Sequence, residues 1–211
     1  MQYYFAFKAG EAVNNLCGLG FSGYDKDGNA LWDSMANVNI FKIEFGLNCK
    51  MVLENWNITT VWWLRRTAYD RLTNHRTMGV FVLSAVWHGF YGGYYLTFFT
   101  SQLFVEAARA VRRTLREKFQ KTPLASRAYD VITALTTALF LVYATIPFAL
   151  LDLWAGIRFW RSMYFFGHVM AILALVICRR KSSQSKPSIE KTKSTDTNQN
   201  GVAWTDKTKS Q

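Results

Sequence analysis

Twenty-seven consecutive residues, Met78 to Phe104, carry no Asp, Glu, Lys or Arg. About 20 apolar residues suffice to cross a hydrocarbon core of roughly 30 Å, so this run sets a membrane as the solvent for the chain. Near its middle stands His88. An ionisable ring at that depth is costly and usually faces a cavity, which makes it a candidate functional group. The bland alternative is a neutral imidazole hydrogen-bonded to a neighbouring helix. Gly89, Gly92 and Gly93 follow directly; they let the run bend there, or let backbone approach a substrate closely.

Two further apolar blocks, Val131 to Trp154 and Met163 to Cys178, bring the expected spans to about three. The predicted fold class is all-α, a polytopic transmembrane helical protein forming the C-terminal part of a larger bundle. Residues 1–77 read as interfacial, loop and amphipathic segments, 78–178 as transmembrane helices with a basic loop at 105–130, and 179–211 as a disordered cytosolic tail. Met1 to Phe7 reads as the end of an earlier helix, Ala9 to Leu16 as a short one, and Asn37 to Trp56 as interfacial and helical.

The formal charge is +11, and it is unevenly spread. Between Val105 and Arg127 seven basic residues face two acidic ones, and from Arg179 to Gln211 eight face three. Basic segments flanking spans mark the cytosolic side; the intervening Ala155 to Ser162 then reads as a short loop on the other side. This distribution argues against nucleic acid as a partner, because no solvated domain carries a basic face. Arg109, Arg112, Arg113 and Arg116 fall on one face of a helix. They serve either as a positive-inside cap or as contacts for the phosphates of an anionic ligand.

Several motifs carry little chemistry. Asp25-Lys-Asp-Gly-Asn29 opens like a calcium loop, but Ala30 and Ala36 occupy the glycine and glutamate positions, so it reads as a turn. Cys17, Cys49 and Cys178 have no paired spacing; Cys178 at a span end reads as a buried thiol in preference to a palmitoylation site. His75, His88 and His168 share no ligand spacing, so no metal is expected. Asn57 or Thr59 can cap a helix that carries Trp62, Trp63, Arg65 and Arg66, a composition typical of the membrane boundary. Asn57-Ile-Thr59 is also a glycosylation sequon.

Chemically, His88 is suited to removing a proton from an alcohol, and Asn57, in the same cavity, to orienting a substrate or donating to an oxyanion. Four segments now add a resemblance: Glu11-Ala-Val-Asn-Asn15, Gly18-Leu-Gly-Phe-Ser-Gly-Tyr-Asp-Lys-Asp-Gly-Asn29, Asn55-Trp-Asn-Ile-Thr-Thr60 and Ser84-Ala-Val-Trp-His-Gly-Phe-Tyr-Gly-Gly-Tyr-Tyr95. Together they resemble the membrane-bound O-acyltransferase family, and within it the lysophospholipid acyltransferase branch. The likeness runs from about Glu11 to about Val169, and its most specific part is the Trp-His-Gly and Trp-Asn pair. Gly92 departs from it, standing where relatives often have proline.

The resemblance implies transfer of an acyl group from acyl-CoA, a co-substrate and no bound cofactor, to the hydroxyl of a lysophospholipid in a multi-pass endoplasmic reticulum membrane protein. It assigns His88 as the active-site histidine and Asn57 as its partner, with Trp56, Trp87 and the four arginines as candidate substrate contacts. Family members carry more spans than three, so a C-terminal fragment or short isoform is expected, with a truncated, non-catalytic module that binds lipid or partner helices as the alternative. No residue pattern specifies headgroup, acyl chain or oligomeric state.

Overall fold

The computed structural model describes residues 2–184. Helix α1 (Gln2–Leu16) is followed by a hairpin of β1 (Gly23–Tyr24) and β2 (Ala30–Leu31). Then come the short helices α2 (Ile40–Glu44), α3 (Cys49–Asn55) and α4 (Ile58–Leu64). A π-helical turn, Arg65–Tyr69, continues α4. It leads to α5 (Arg76–His88), α6 (Gly92–Phe119), α7 (Pro123–Leu150), α8 (Leu153–Ser162) and α9 (Phe166–Gln184). The chain is thus predominantly helical, with one small hairpin that the all-α expectation did not include.

Asp25 closes that hairpin. Its Oδ1 accepts the backbone N–H groups of Asp27 and Asn29 at 2.9 and 2.8 Å, and its Oδ2 accepts from the Asn29 side chain at 3.0 Å. Those bonds, the Asn29 side chain first, hold the carboxyl below the usual carboxylate range. The carboxylate's ligands are its own backbone and neighbours, as a turn requires.

Other boundaries differ from the sequence expectations for local reasons. α1 is continuous through Gly10, around which no atom comes within 4 Å of a would-be Cβ. The interfacial segment splits into α2 and α3, each capped by an asparagine: Asn39 accepts from Lys42 N and Asn48 from Met51 N, both at 3.1 Å. Segment 105–130 is not a loop. The Arg, Glu, Lys and Ala residues of 105–119 favour helix, and α7 restarts after the turn where Thr122 caps Ala125 N and Pro123 takes the first helical position. Likewise 155–162 is helix α8 and no loop, capped by Asp152 Oδ1 on Ala155 N at 2.6 Å. The tail expected at 179–211 begins as the last turns of α9, and from residue 185 it lies outside the described residues.

The uncharged run is two helices, not one span. Gly89, with φ 121°, ends α5, and α6 starts three residues later. At 13 residues α5 is about 20 Å long, too short to cross alone. Among the described residues α7 is the single helix long and apolar enough to do so, and α8 with α9 passes only as a pair bent by 75°. The outward face of α7 leaves Ile132, Leu135, Leu139 and Val142 between 54% and 67% exposed, a surface suited to lipid and costly in water.

The core lies where α6 crosses α7, α8 and α9. Gly93, Thr97, Thr100, Phe104, Ala107 and Ala110 form the buried stripe of α6, and its small members let helices approach closely. Tyr143, Ala144 and Trp160 meet it. Pro147 lacks the N–H that would bond Tyr143 O in the α7 ladder, and the Trp160 indole N–H donates to that carbonyl instead, at 3.1 Å. His168 joins three helices: its Nε2 pairs with the Thr100 hydroxyl at 3.1 Å and its Nδ1 with the Tyr143 hydroxyl at 2.9 Å.

Candidate active site

His88 is the last residue of α5, and its ring is half-buried among aromatics from three helices. Phe98 stacks on it with centroids 5.1 Å apart and an interplanar angle of 30°. Phe148, from the last turn of α7, meets it edge-on at 5.0 Å, and Tyr94 lies at 5.6 Å. Trp87 stands edge-on at 4.7 Å and is 52% exposed. Among the described residues no hydrogen bond reaches the imidazole, so neither ring nitrogen is committed to a protein partner. The imidazole hydrogen-bonded to a neighbouring helix is His168, not His88.

The aromatic surround of His88 depends on how α6 begins. Gly93 N–H donates to Leu151 O at 2.7 Å, and a Cβ on Gly93 would sit 2.1 Å from Pro147 O. A Cβ on Gly92 would meet Leu153 Cβ at 2.6 Å. These two glycines let α6 sit closely on the end of α7 and the start of α8, and the last turn of α7 carries Phe148 to His88. The break itself comes from Gly89.

Asn57 lies in the left-handed region, with φ and ψ both 53°, and makes no side-chain cap to α4. Its Oδ1 instead accepts from Asn37 Nδ2 at 3.1 Å and from the Thr60 hydroxyl at 2.9 Å. α4 and its π-helical turn pack against α5 after the chain reverses at 70–75. Asn57 precedes α4, and His88 ends α5. No hydrogen bond links them among the described residues.

The other sequence candidates separate. Trp56 packs edge-on against Tyr3, Tyr4 and Phe7 of α1, with centroids 5.6 to 6.0 Å apart, and so anchors α1. Beside it the Tyr4 hydroxyl donates to Glu44 at 2.6 Å, and burial with that carboxylate pushes Tyr4 up to about 12. Arg109 is committed to bracing: its Nη1 donates to Thr77 on α5 at 2.8 Å and to Glu106 at 3.0 Å. Arg112, Arg113 and Arg116 remain exposed, without an acidic partner among the described residues. The residues missed from sequence are Asn37, Tyr94, Phe98 and Phe148. Tyr94 and Phe98 fall one turn apart on α6, a legible spacing, whereas nothing in the sequence ties Asn37 or Phe148 to the site.

The sequence pattern of the membrane-bound O-acyltransferase family matches residues 1–146, well over half of the chain. The chain belongs to the membrane-bound O-acyltransferase family. It is 44% identical over 183 residues to membrane-bound glycerophospholipid O-acyltransferase 2 of Gallus gallus, an alignment covering 87% of this chain and 35% of that protein. Identity is also 44% with membrane-bound glycerophospholipid O-acyltransferase 1 of Homo sapiens, covering 85% and 36%. Lysophospholipid acyltransferase 6 of Drosophila melanogaster shares 44%, covering 83% and 24%. This O-acyltransferase chain therefore spans about a third of the length of the first curated relatives it matches.

Proposed function

We propose that this chain carries the acceptor-activating part of a lysophospholipid acyltransferase. The observation that carries the proposal is His88: an imidazole without a hydrogen-bond partner among the described residues, held by aromatic rings at a helix break in an uncharged run. Support for the substrate class comes from the relatives, whose names describe glycerophospholipid and lysophospholipid acyltransferases.

In this reading His88 removes the proton of the lysophospholipid hydroxyl as that oxygen attacks the thioester carbonyl of acyl-CoA. The C–O bond forms, a tetrahedral oxyanion develops and is supported by Asn57, and the C–S bond breaks. The imidazolium then returns its proton to the CoA thiolate, leaving CoA thiol and a diacyl phospholipid. The aromatic walls exclude water that would otherwise hydrolyse the thioester. Trp87, exposed at the rim, contacts the acceptor, and Arg112, Arg113 and Arg116 offer cations to phosphates of CoA or of lipid headgroups. Trp56 acts on this site through Asn57, its neighbour in sequence.

The protein sits in this proposal as a multi-pass protein of the endoplasmic reticulum membrane. α7 supplies one crossing, and α8 with α9 another. Acyl-CoA is a co-substrate and no cofactor is retained. The test is acyl-CoA consumption by the full chain in phospholipid vesicles containing a lysophospholipid. Turnover is expected, and His88→Ala is expected to lower kcat at least about 100-fold. A His88→Ala protein with undiminished kcat overturns the general-base role, and absence of turnover by the unsubstituted chain favours a non-catalytic membrane module.

A further inference from the structure

Because Asn57 sits in a left-handed conformation, its side chain does not fold over the start of α4. That helix end is satisfied from twenty residues upstream. Asn37 O accepts the Ile58 N–H at 2.9 Å, and Asn37 Oδ1 accepts the Thr59 N–H at 2.9 Å. Val38 pairs with Trp56 in an antiparallel bridge, and Asn39 N–H donates to Asn55 O at 3.0 Å. A two-stranded ribbon thus lays residues 37–39 beside 55–58 and aims the Asn37 side chain at Asn57.

The polarity of this contact follows from the backbone. An amide side chain can ordinarily be turned end for end without changing its shape. A backbone N–H, however, only donates, so the Asn37 atom facing Thr59 is oxygen and its other end, facing Asn57, is NH2. The atom of Asn57 that receives it is therefore Oδ1, at 3.1 Å. The Thr60 hydroxyl supplies a second donor to that oxygen at 2.9 Å. Both lone pairs of Asn57 Oδ1 are occupied, and its Nδ2 has no partner among the described residues.

We propose that Asn37 is a positioning residue which, through its amide contact with Asn57, locks the Asn57 side chain with its NH2 outward as a pure hydrogen-bond donor. This deepens the acyl-transfer reading and rests on it: Asn57 then binds the acyl carbonyl oxygen of acyl-CoA and not the hydroxyl proton of the lysophospholipid. Negative charge gathers on that carbonyl oxygen as the acceptor attacks, so a fixed donor lowers the barrier. Without Asn37, the amide is free to present its oxygen, which repels the same charge.

Asn37→Asp separates positioning from capping. The carboxylate still accepts Thr59 N–H, and a negative charge is favourable at a helix N-terminus. It cannot donate to Asn57, whose amide then turns its NH2 inward to meet the carboxylate. The full chain in vesicles with acyl-CoA and a lysophospholipid is expected to keep its Tm with Asn37→Asp while kcat falls about 100-fold and KM holds. Asn37→Ala loses both Tm and kcat. In an Asn57→Ala background, Asn37→Asp is expected to change kcat no further. Wild-type kcat for Asn37→Asp, or an undiminished loss in the Asn57→Ala background, overturns the positioning role. If the unsubstituted chain shows no turnover, the acyl-transfer reading fails separately. The orientation is then read by asparagine-selective 15N labelling in micelles: the Asn57 side-chain NH2 resonances shift on Asn37→Asp if the amide turns, and unmoved resonances overturn the proposal.

Discussion

Cys49 opens α3, and burial pushes its thiol from an ordinary value of 9.0 up to about 11, against the opposing influence of the nearby Arg109 cation. Because the folded value lies above the unfolded one, the thiol contributes its full stabilisation below about pH 9. That contribution is lost as pH rises through about 11. The thiolate is the nucleophile, so Cys49 is expected to resist maleimide at pH 7.5 and to become reactive as pH approaches 10 and above. Exposed Cys17 reacts at the lower pH and serves as the internal reference. Mass spectrometry of the labelled chain checks this, and rapid labelling of Cys49 at pH 7.5 contradicts it. Cys178 is buried, in keeping with the thiol reading from sequence. At this scale the sequence marked His88 and Asn57 through the chemistry of their types and a recognisable pattern. It was silent on Asn37, because an asparagine before an extended Val38 has no periodicity to reveal a partner twenty residues away.

Among elements, the decisive contact is the seating of the α6 N-terminus on the end of α7. Around Gly93 a Cβ would meet Pro147 O and the backbone of Leu151, neither of which can rotate aside. Gly93→Ala is therefore expected to destabilise by about 1–3 kcal/mol as overpacking, and to displace Phe148 from His88. Gly10→Ala in α1 meets open space and is expected to stabilise by up to about 1 kcal/mol through helix propensity. Thermal unfolding in detergent compares the two, and equal Tm values would refute the close-approach argument. Sequence reading foresaw that glycines after His88 bend the run. It assigned Gly92 and Gly93 to bending or to substrate approach, and they turn out to admit another helix. A glycine states that something comes close, and only the fold states what.

For the whole molecule, the question is which helices cross the bilayer. α7 has 28 residues, about 42 Å of helix, and its exposed leucines face outward along its length. Single cysteines introduced at Lys121 and at Trp154, with Cys17, Cys49 and Cys178 replaced by serine, are expected to lie on opposite sides of sealed vesicles. A membrane-impermeant maleimide should reach one of them before permeabilisation and both afterwards. Labelling of both from outside would remove α7 as a crossing. The expected three spans came from counting apolar blocks, a measure that treats Met78 to Phe104 as one rod and Ala155 to Ser162 as a loop before a short span. The bend at Gly89 divides the first, and the bend at 163–165 joins helix α8 to α9; hydropathy averages over such bends because it carries no backbone angle.

The sequence by itself determined a membrane-adapted, mainly helical chain of the O-acyltransferase family, and singled out His88 as the candidate for its chemistry. Composition, uncharged runs and residue type are local properties and survive without coordinates. The tertiary structure alone decided that His88 is walled by Phe98 and Phe148 while His168 takes the hydrogen bonds. It also decided that Arg109 braces α5, and that the Asn37 side chain donates to Asn57 Oδ1. Each of these depends on which distant segments meet, and those meetings are set by the simultaneous packing of α5, α6 and α7 and by the ribbon joining residues 37–39 to 55–58.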